Sequence, residues 1–201
     1  MIKQEELSSI VKILKAGGVG VLPTDTLYGL VGQADGKKAV TRIKKLKERG
    51  HGKPFIILIS SLKDLNKFKV KLDKKTGKFL KTIWPGPVSV ILPTLLKLHG
   101  TSVTLAFRWP KNKFLNELIE KTGPLVAPSA NPEGLPPAST ITEARNYFGD
   151  DIDFYLSAGK KLSGQPSTLI KIKKAKIEIL REGQGLAGLI SNRESKNSPS
   201  P

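Results

Sequence analysis

The chain contains no cysteine. That excludes a thiolate nucleophile, a zinc–thiolate site and any disulfide, and it fits a reducing compartment. Histidine is nearly absent too: His51 and His99 stand far apart, each in a glycine-bearing loop, so a histidine-rich metal centre is not expected. No apolar run approaches the ~18 residues that a membrane span needs. The N-terminus lacks a signal-peptide pattern, and a cytoplasmic protein is expected. Acidic residues are scarce as well. Asp plus Glu number 17 against 34 Lys plus Arg, a net charge of +17. Such a surplus attracts nucleic acid or another polyanion, although a generally lysine-rich composition gives the same sum.

What is present fits one domain of 201 residues. A chain of that size buries about 70% of its unfolded surface and needs no covalent staple. Most of the positive charge is lysine. The arginines are Arg42, Arg49, Arg108, Arg145, Arg181 and Arg193, and these are more informative, because a planar guanidinium matches carboxylate and phosphate.

The stretch from Lys44 to Ile59 brings Lys47, Arg49 and Lys53 to a helix–loop–strand junction. Cations converging there suit a polyphosphate, and cations at a helix C-terminus also simply favour the helix dipole. Leu7, Ile10, Val11 and Leu14 predict a helix over 4–16, and Val19 to Leu22 a strand closed by Pro23. Beyond it, Thr24, Asp25, Thr26 and Tyr28 leave the strand end together, where open α/β sheets bind ligands, or they form a capped turn. Asp35 is expected to cap a helix over 37–48. Ser61 and Asp64, then Thr140 and Glu143, read as capping boxes, the second opening a helix at 141–148. Residues 61–81 hold eight lysines against two aspartates, a candidate RNA-facing patch or a solvated helical face. Strands are expected at 55–59, 88–92, 102–107, 125–127, 154–156, 168–172 and 176–181, and a helix at 113–121. Arg108 closes its strand, where it either holds a carboxylate bidentately or is simply a surface arginine. Residues 1–188 read as one domain and 189–201 as a disordered tail.

Two motifs fail. Gly183 to Gly188 matches G-x-G-x-x-G, but no βαβ unit follows. A phosphate loop of the G-x-x-x-x-G-K-[ST] type is absent, and neither histidine is placed for a serine triad. A nucleotide site here has to use side-chain cations and strand-end hydroxyls.

Taken together, P-T-D-T-L-Y-G-L at 23–30, Lys47-x-Arg49 with Lys53-Pro54, W-P-G-P at 84–87, Arg108 near Pro110, P-S-A-N-P at 128–132, Ser167-Thr168 and L-R-E-G at 180–183 resemble the YrdC-type threonylcarbamoyl-adenylate synthases in order and spacing. The resemblance implies a single α/β domain, a twisted mixed sheet flanked by helices around a basic concave cleft. It implies a nucleotidyltransferase that makes threonylcarbamoyl-AMP and pyrophosphate from L-threonine, bicarbonate and ATP. A partner enzyme then transfers the threonylcarbamoyl group to tRNA, giving N6-threonylcarbamoyladenosine. By similarity, Thr26, Tyr28, Arg108, Ser167 and the backbone near Ala127 would bind threonine. Lys47, Arg49, Lys53, Thr104, Ser129, Asn131, Arg181 and the backbone near Pro137 would bind ATP. Lys47, Arg49, Ser129 and Asn131 would form the catalytic group, with Mg2+ carried on the ATP phosphates and no redox cofactor. Leu58 stands where some members carry a histidine near the amino acid, so that contact is missing. The chain also stops short of the extra domain of long members, and a short, single-domain form is expected. Rival readings are a non-catalytic RNA-binding protein on the same scaffold, contacting tRNA or double-stranded RNA, and a relative of the hydrogenase-maturation carbamoyl-adenylate formers.

Overall fold

The computed structural model describes residues 4–48, 55–98, 101–173 and 176–189. Among them, helices α1 (Gln4–Lys15), α2 (Lys37–Leu46), α3 (Lys74–Ile83), α4 (Lys113–Thr122) and α5 (Ile141–Phe148) join a 3-10 helix, Leu62–Phe68. The strands are β1 (Gly20–Pro23), β2 (Tyr28–Gln33), β3 (Ile56–Leu58), β4 (Val88–Leu98), β5 (Thr101–Arg108), β6 (Leu125–Val126), β7 (Phe154–Tyr155), β8 (Thr168–Lys173) and β9 (Lys176–Arg181). They form one mixed sheet in the order β7-β1-β2-β6-β3-β5-β4-β8-β9. The pairs β1–β7, β3–β5 and β4–β8 are parallel, and the others are antiparallel.

Alternation along the strands divides the core. Val21, Leu30, Ile57, Phe107, Val90 and Ile170 point to one face and pack with Ile43, Phe68, Leu80 and Phe148. Leu22, Val31, Leu58 and Leu125 point to the other, against Leu7, Ile10 and Leu14 of α1 and Leu115, Leu118 and Ile119 of α4. Thus α1 and α4 cover the second face over β1, β2, β6 and β3. Over β5, β4 and β8 that face lies open toward a cavity.

The capping logic is partly upheld. The Ser61–Asp64 box is formed, with Asp64 Oδ2 accepting from Ser61 N at 3.1 Å, but it opens a 3-10 helix. Thr140 Oγ1 accepts from Glu143 N at 3.2 Å, while the Glu143 carboxylate reaches back to Ser139 N at 2.8 Å. Asp35 does not cap α2. The N-cap is Gly36, without a side-chain bond, because the helix begins one residue later than an Asp35 cap would need. Strand β2 was not expected, and α3 was expected only as part of a solvated helical face, without bounds or a cap. Residues 28–33 pair as β2 once Thr24 Oγ1 has closed the turn by accepting from Thr26 N and Leu27 N, both at 3.2 Å. Helix α3 starts at Asp73, whose Oδ1 accepts from Thr76 N at 2.8 Å; its glycine and run of lysines hide it in the sequence. Strand β4 also continues past 92 through Pro93, with a register shift before Lys97.

All eight lysines of the 61–81 stretch are exposed. Phe68 meets Phe107 edge-on, with ring centroids 5.2 Å apart. Phe107 and Arg108 alternate across β5, so this lysine-rich surface lies behind the sheet, away from the cavity.

Gly183 is dictated by close approach. A Cβ on Gly183 would stand 2.2 Å from Pro166 O and 2.8 Å from the Ser167 carbonyl carbon, both backbone atoms. Gly183→Ala should therefore lower the unfolding free energy by about 2–3 kcal/mol in urea denaturation. Gly77→Ala, whose Cβ meets nothing within 4 Å inside α3, should raise it by about 0.5–1 kcal/mol.

Candidate active site

Strand ends and one sheet face bound a cavity of about 690 Å3. Its lining includes Thr26, Tyr28 and Lys47, then Arg108, Ala127 and Ser129, and finally Pro137, Ser167 and Arg181. Nine residues separated by up to 155 positions thus meet, as strand order requires: β2, β6, β3 and β5 are sheet neighbours although far apart in the chain. Two expected site residues are not among the lining. Asn131 is buried behind Lys47, and Thr104 is exposed on β5, on the face it shares with Ala106 and Arg108. Arg49 and Lys53 lie outside the described residues, as do both histidines.

Arg108 is buried, 4% exposed. Its Nη1 donates to Thr26 Oγ1 at 2.9 Å, and its Nη2 lies 3.2 Å from Asp25 Oδ1. Asp25 Oδ2 in turn accepts from Lys111 N at 3.3 Å. Desolvation pulls the Arg108 pKa below the ordinary arginine value, and the Asp25 charge pushes it back up. The group nevertheless stays cationic. Its Nε makes no hydrogen bond, which leaves a guanidinium donor unspent. Arg181, open to solvent, is likewise held below its ordinary value, by partial desolvation and then by the like charge of Arg108. Two cations that repel each other across a cavity favour an anion between them.

Ser167 and Arg181 are fixed together. Arg181 Nη2 donates to Ser167 O at 2.9 Å, and Ser167 Oγ lies 2.8 Å from Ser89 Oγ. The register shift between Leu169 and Ile170 leaves Leu180 as the extra residue of β9, so Leu180 and Arg181 both reach the cavity.

Lys47 caps α2, and Glu48 takes φ +50°, turning the chain away immediately after it. Lys47 Nζ donates to Ser129 O at 2.8 Å, Asn131 O at 2.5 Å and Asn131 Oδ1 at 3.0 Å. The Asn131 amide is spent as well: Nδ2 donates to Pro132 O at 2.8 Å and Leu135 O at 2.6 Å. Asn131 thus holds Lys47 and the 132–135 loop in place. Lys47 and Glu133 both line the cavity. Tyr28 forms a wall, its hydroxyl accepting from Ala158 N at 2.9 Å.

Sequence reasoning did not single out Ile56, Ser89, Ile91, Ala106, Glu133 or Leu169. Ser89 carried a readable signal, a polar residue inside the apolar run 88–92. Ile56, Ile91, Ala106 and Leu169 stand out only once strand register is known, and Glu133 lies in the loop after β6. Among the described residues, no three His, Asp or Glu cluster for a metal ion.

This fold and site define a mixed α/β domain that brings Lys47, Arg108 and Arg181 to the lining of one cavity. The family model of Sua5, YciO and YrdC, described as "Telomere recombination", matches residues 12–183, and the chain belongs to that family. It is 35% identical over 150 residues to the threonylcarbamoyl-AMP synthase of Nitrosococcus oceani, covering 72% of this chain and 81% of that protein. The crystal structure of P. abyssi Sua5 complexed with L-threonine superposes with a TM-score of 0.82 at 28% identity, covering 91% of this chain and 55% of that one. The crystal structure of E. coli YciO gives a TM-score of 0.81 at 25% identity, covering 92% of each chain.

Removing Lys47 leaves three oxygens of the 129–131 turn without their donor. Lys47→Ala should lower the unfolding free energy by about 2–3 kcal/mol in urea denaturation. A change within about 0.5 kcal/mol would mean that the clamp contributes no stability.

Proposed function

We propose that this chain forms threonylcarbamoyl-AMP and pyrophosphate from L-threonine, bicarbonate and ATP. The observation that carries this reading is the buried Arg108–Thr26 pair, with a donor unspent, facing a cavity that Lys47, Ser129 and Arg181 share. Relatives bearing the name threonylcarbamoyl-AMP synthase, and a neighbour crystallised with L-threonine, support it.

Arg108 would take the threonine carboxylate, with Thr26, Ser167 and the backbone at Ala127 around it and Tyr28 as a wall. The amine loses a proton and captures bicarbonate, releasing water and leaving a carbamate. A carbamate oxygen then attacks the α-phosphorus of ATP, an O–P bond forms, and pyrophosphate leaves. Neither step needs an enzyme nucleophile. Both need two anions held together and phosphate charge neutralised, which suits Lys47, Arg181 and, by family likeness, Arg49 and Lys53. Ser129, Thr104 and the backbone near Pro137 would complete the ATP site, while Asn131 would act through Lys47. Mg2+ would ride on the ATP phosphates and supply further charge neutralisation. The carbamate hydrolyses in water, so a recessed site protects it.

The match over 12–183 supports reading 1–188 as one catalytic domain. The product, a mixed carbonic–phosphoric anhydride, would pass to a partner transferase acting on tRNA, and we place the reaction in the cytoplasm. Among the described residues, no helix is long and apolar enough to cross a membrane. A second reading, a non-catalytic RNA-binding protein, draws support from the exposed lysines behind the sheet.

Pyrophosphate release without RNA separates the two. It should require threonine, bicarbonate and ATP together, and release that persists when threonine is omitted would refute the proposal. Arg108→Ala should raise the threonine KM by about ten- to a hundredfold, the loss of one charge-assisted contact, with a much smaller effect on the ATP KM. Equal effects on both would remove Arg108 from the amino-acid site.

A further inference from the structure

Two adjacent rows of the sheet make the cavity floor. In the first, Ala106 lies in register between Ile56 on β3 and Ile91 on β4. Ala127 N donates to Ile56 O at 2.9 Å and extends the same row. In the second row Arg108 follows Ala106 on the same face of β5, roughly 6.6 Å along the strand. Ile56, Ile91, Ala106, Ala127 and Arg108 all line the cavity. The apolar row therefore alternates large and small groups. Strands lie about 4.8 Å apart, so two isoleucines flank a depression whose bottom is a single methyl. Ala106 is 2% exposed, and because it lines the cavity, carbon added to its Cβ would enlarge into that depression.

We propose that Ala106 sets the upper size limit of the amino-acid side chain this site accepts. The inference rests on the reading that Arg108 holds the amino-acid carboxylate. With the carboxylate on the cationic row, the substituents on Cα extend toward the neighbouring apolar row. The dent over Ala106 is where a short branched side chain fits. A larger residue at 106 closes it, and glycine deepens it.

The test measures Ala106→Val and Ala106→Gly beside the wild type, by pyrophosphate release and by calorimetric binding without ATP. The ligands are glycine, serine, threonine and the one-carbon-longer homologue 2-amino-3-hydroxypentanoic acid. Valine suits a strand, so the first variant should fold. Ala106→Val should weaken threonine by about 10- to 200-fold, the effect of one or two misfitted methyl groups, while glycine and the ATP KM change less than about threefold. Ala106→Gly should raise the preference for the longer homologue over threonine by about fivefold or more. Unchanged preferences in both variants, or equal losses for every amino acid and for ATP, would overturn the inference and make Ala106 a packing residue only. Should Ala106→Val fail to fold, the preference of Ala106→Gly decides alone. Wild-type binding of threonine without pyrophosphate release would contradict the proposed reaction, and the binding ratios would still judge Ala106. Absence of any amino-acid binding by the wild type would overturn both.

Discussion

Keeping the Arg108 guanidinium charged and out of water is the constraint on which the site depends. A buried cation with no partner is costly by several kcal/mol, and the fold answers with Asp25 at 3.2 Å and Thr26 Oγ1 at 2.9 Å. Both partners sit in the turn between β1 and β2, so that turn has to lie against the end of β5. Asp25 also accepts from Lys111 N, which ties the residues leading into α4 to the same charge. One ion pair therefore draws three distant segments together at the edge of the cavity.

Lys47 does the equivalent on the opposite wall. Its ammonium gathers Ser129 and Asn131, and its backbone carbonyl accepts from Glu133 N at 2.8 Å. The end of α2 and the turn after β6 are consequently tied together. Between these two cations the sheet contributes small and apolar side chains, so a ligand meets charge and apolar surface on separate residues of one lining. That division suits a reaction in which positioning and charge neutralisation carry the chemistry and no side chain forms a covalent intermediate.

Much of this was legible in the amino-acid order. The helices at α1, α4 and α5 follow from apolar spacing and caps, and the strand-end turns after Leu22, Phe107 and Val126 contribute Thr24, Thr26, Leu27, Arg108, Ala127, Pro128 and Ser129 to the cavity lining. What was hidden depends on register. Ala106 and Ile91 are ordinary strand residues until pairing sets them side by side, and nothing local marks Ala106 as floor rather than core. β2 was hidden because its first residues read as a polar turn. The turn in fact closes within Thr24–Leu27 through the Thr24 hydroxyl, which frees Tyr28 to begin a strand. Nothing in the sequence signals that the Asn131 amide nitrogen donates to Pro132 O and Leu135 O. The lysine-rich stretch has no pattern that says which side of the sheet it will occupy. The Phe68–Phe107 contact decides that.

The central claim is that a threonine carboxylate and a nucleotide share one cavity between these cations. A crystal structure with threonine and a non-hydrolysable ATP analogue tests it most directly. The account predicts the carboxylate within about 3.2 Å of the Arg108 guanidinium, a charge-assisted contact, and the phosphates on the Lys47 and Arg181 side of the same cavity. Threonine bound away from Arg108, or nucleotide seated outside the cavity, would contradict it.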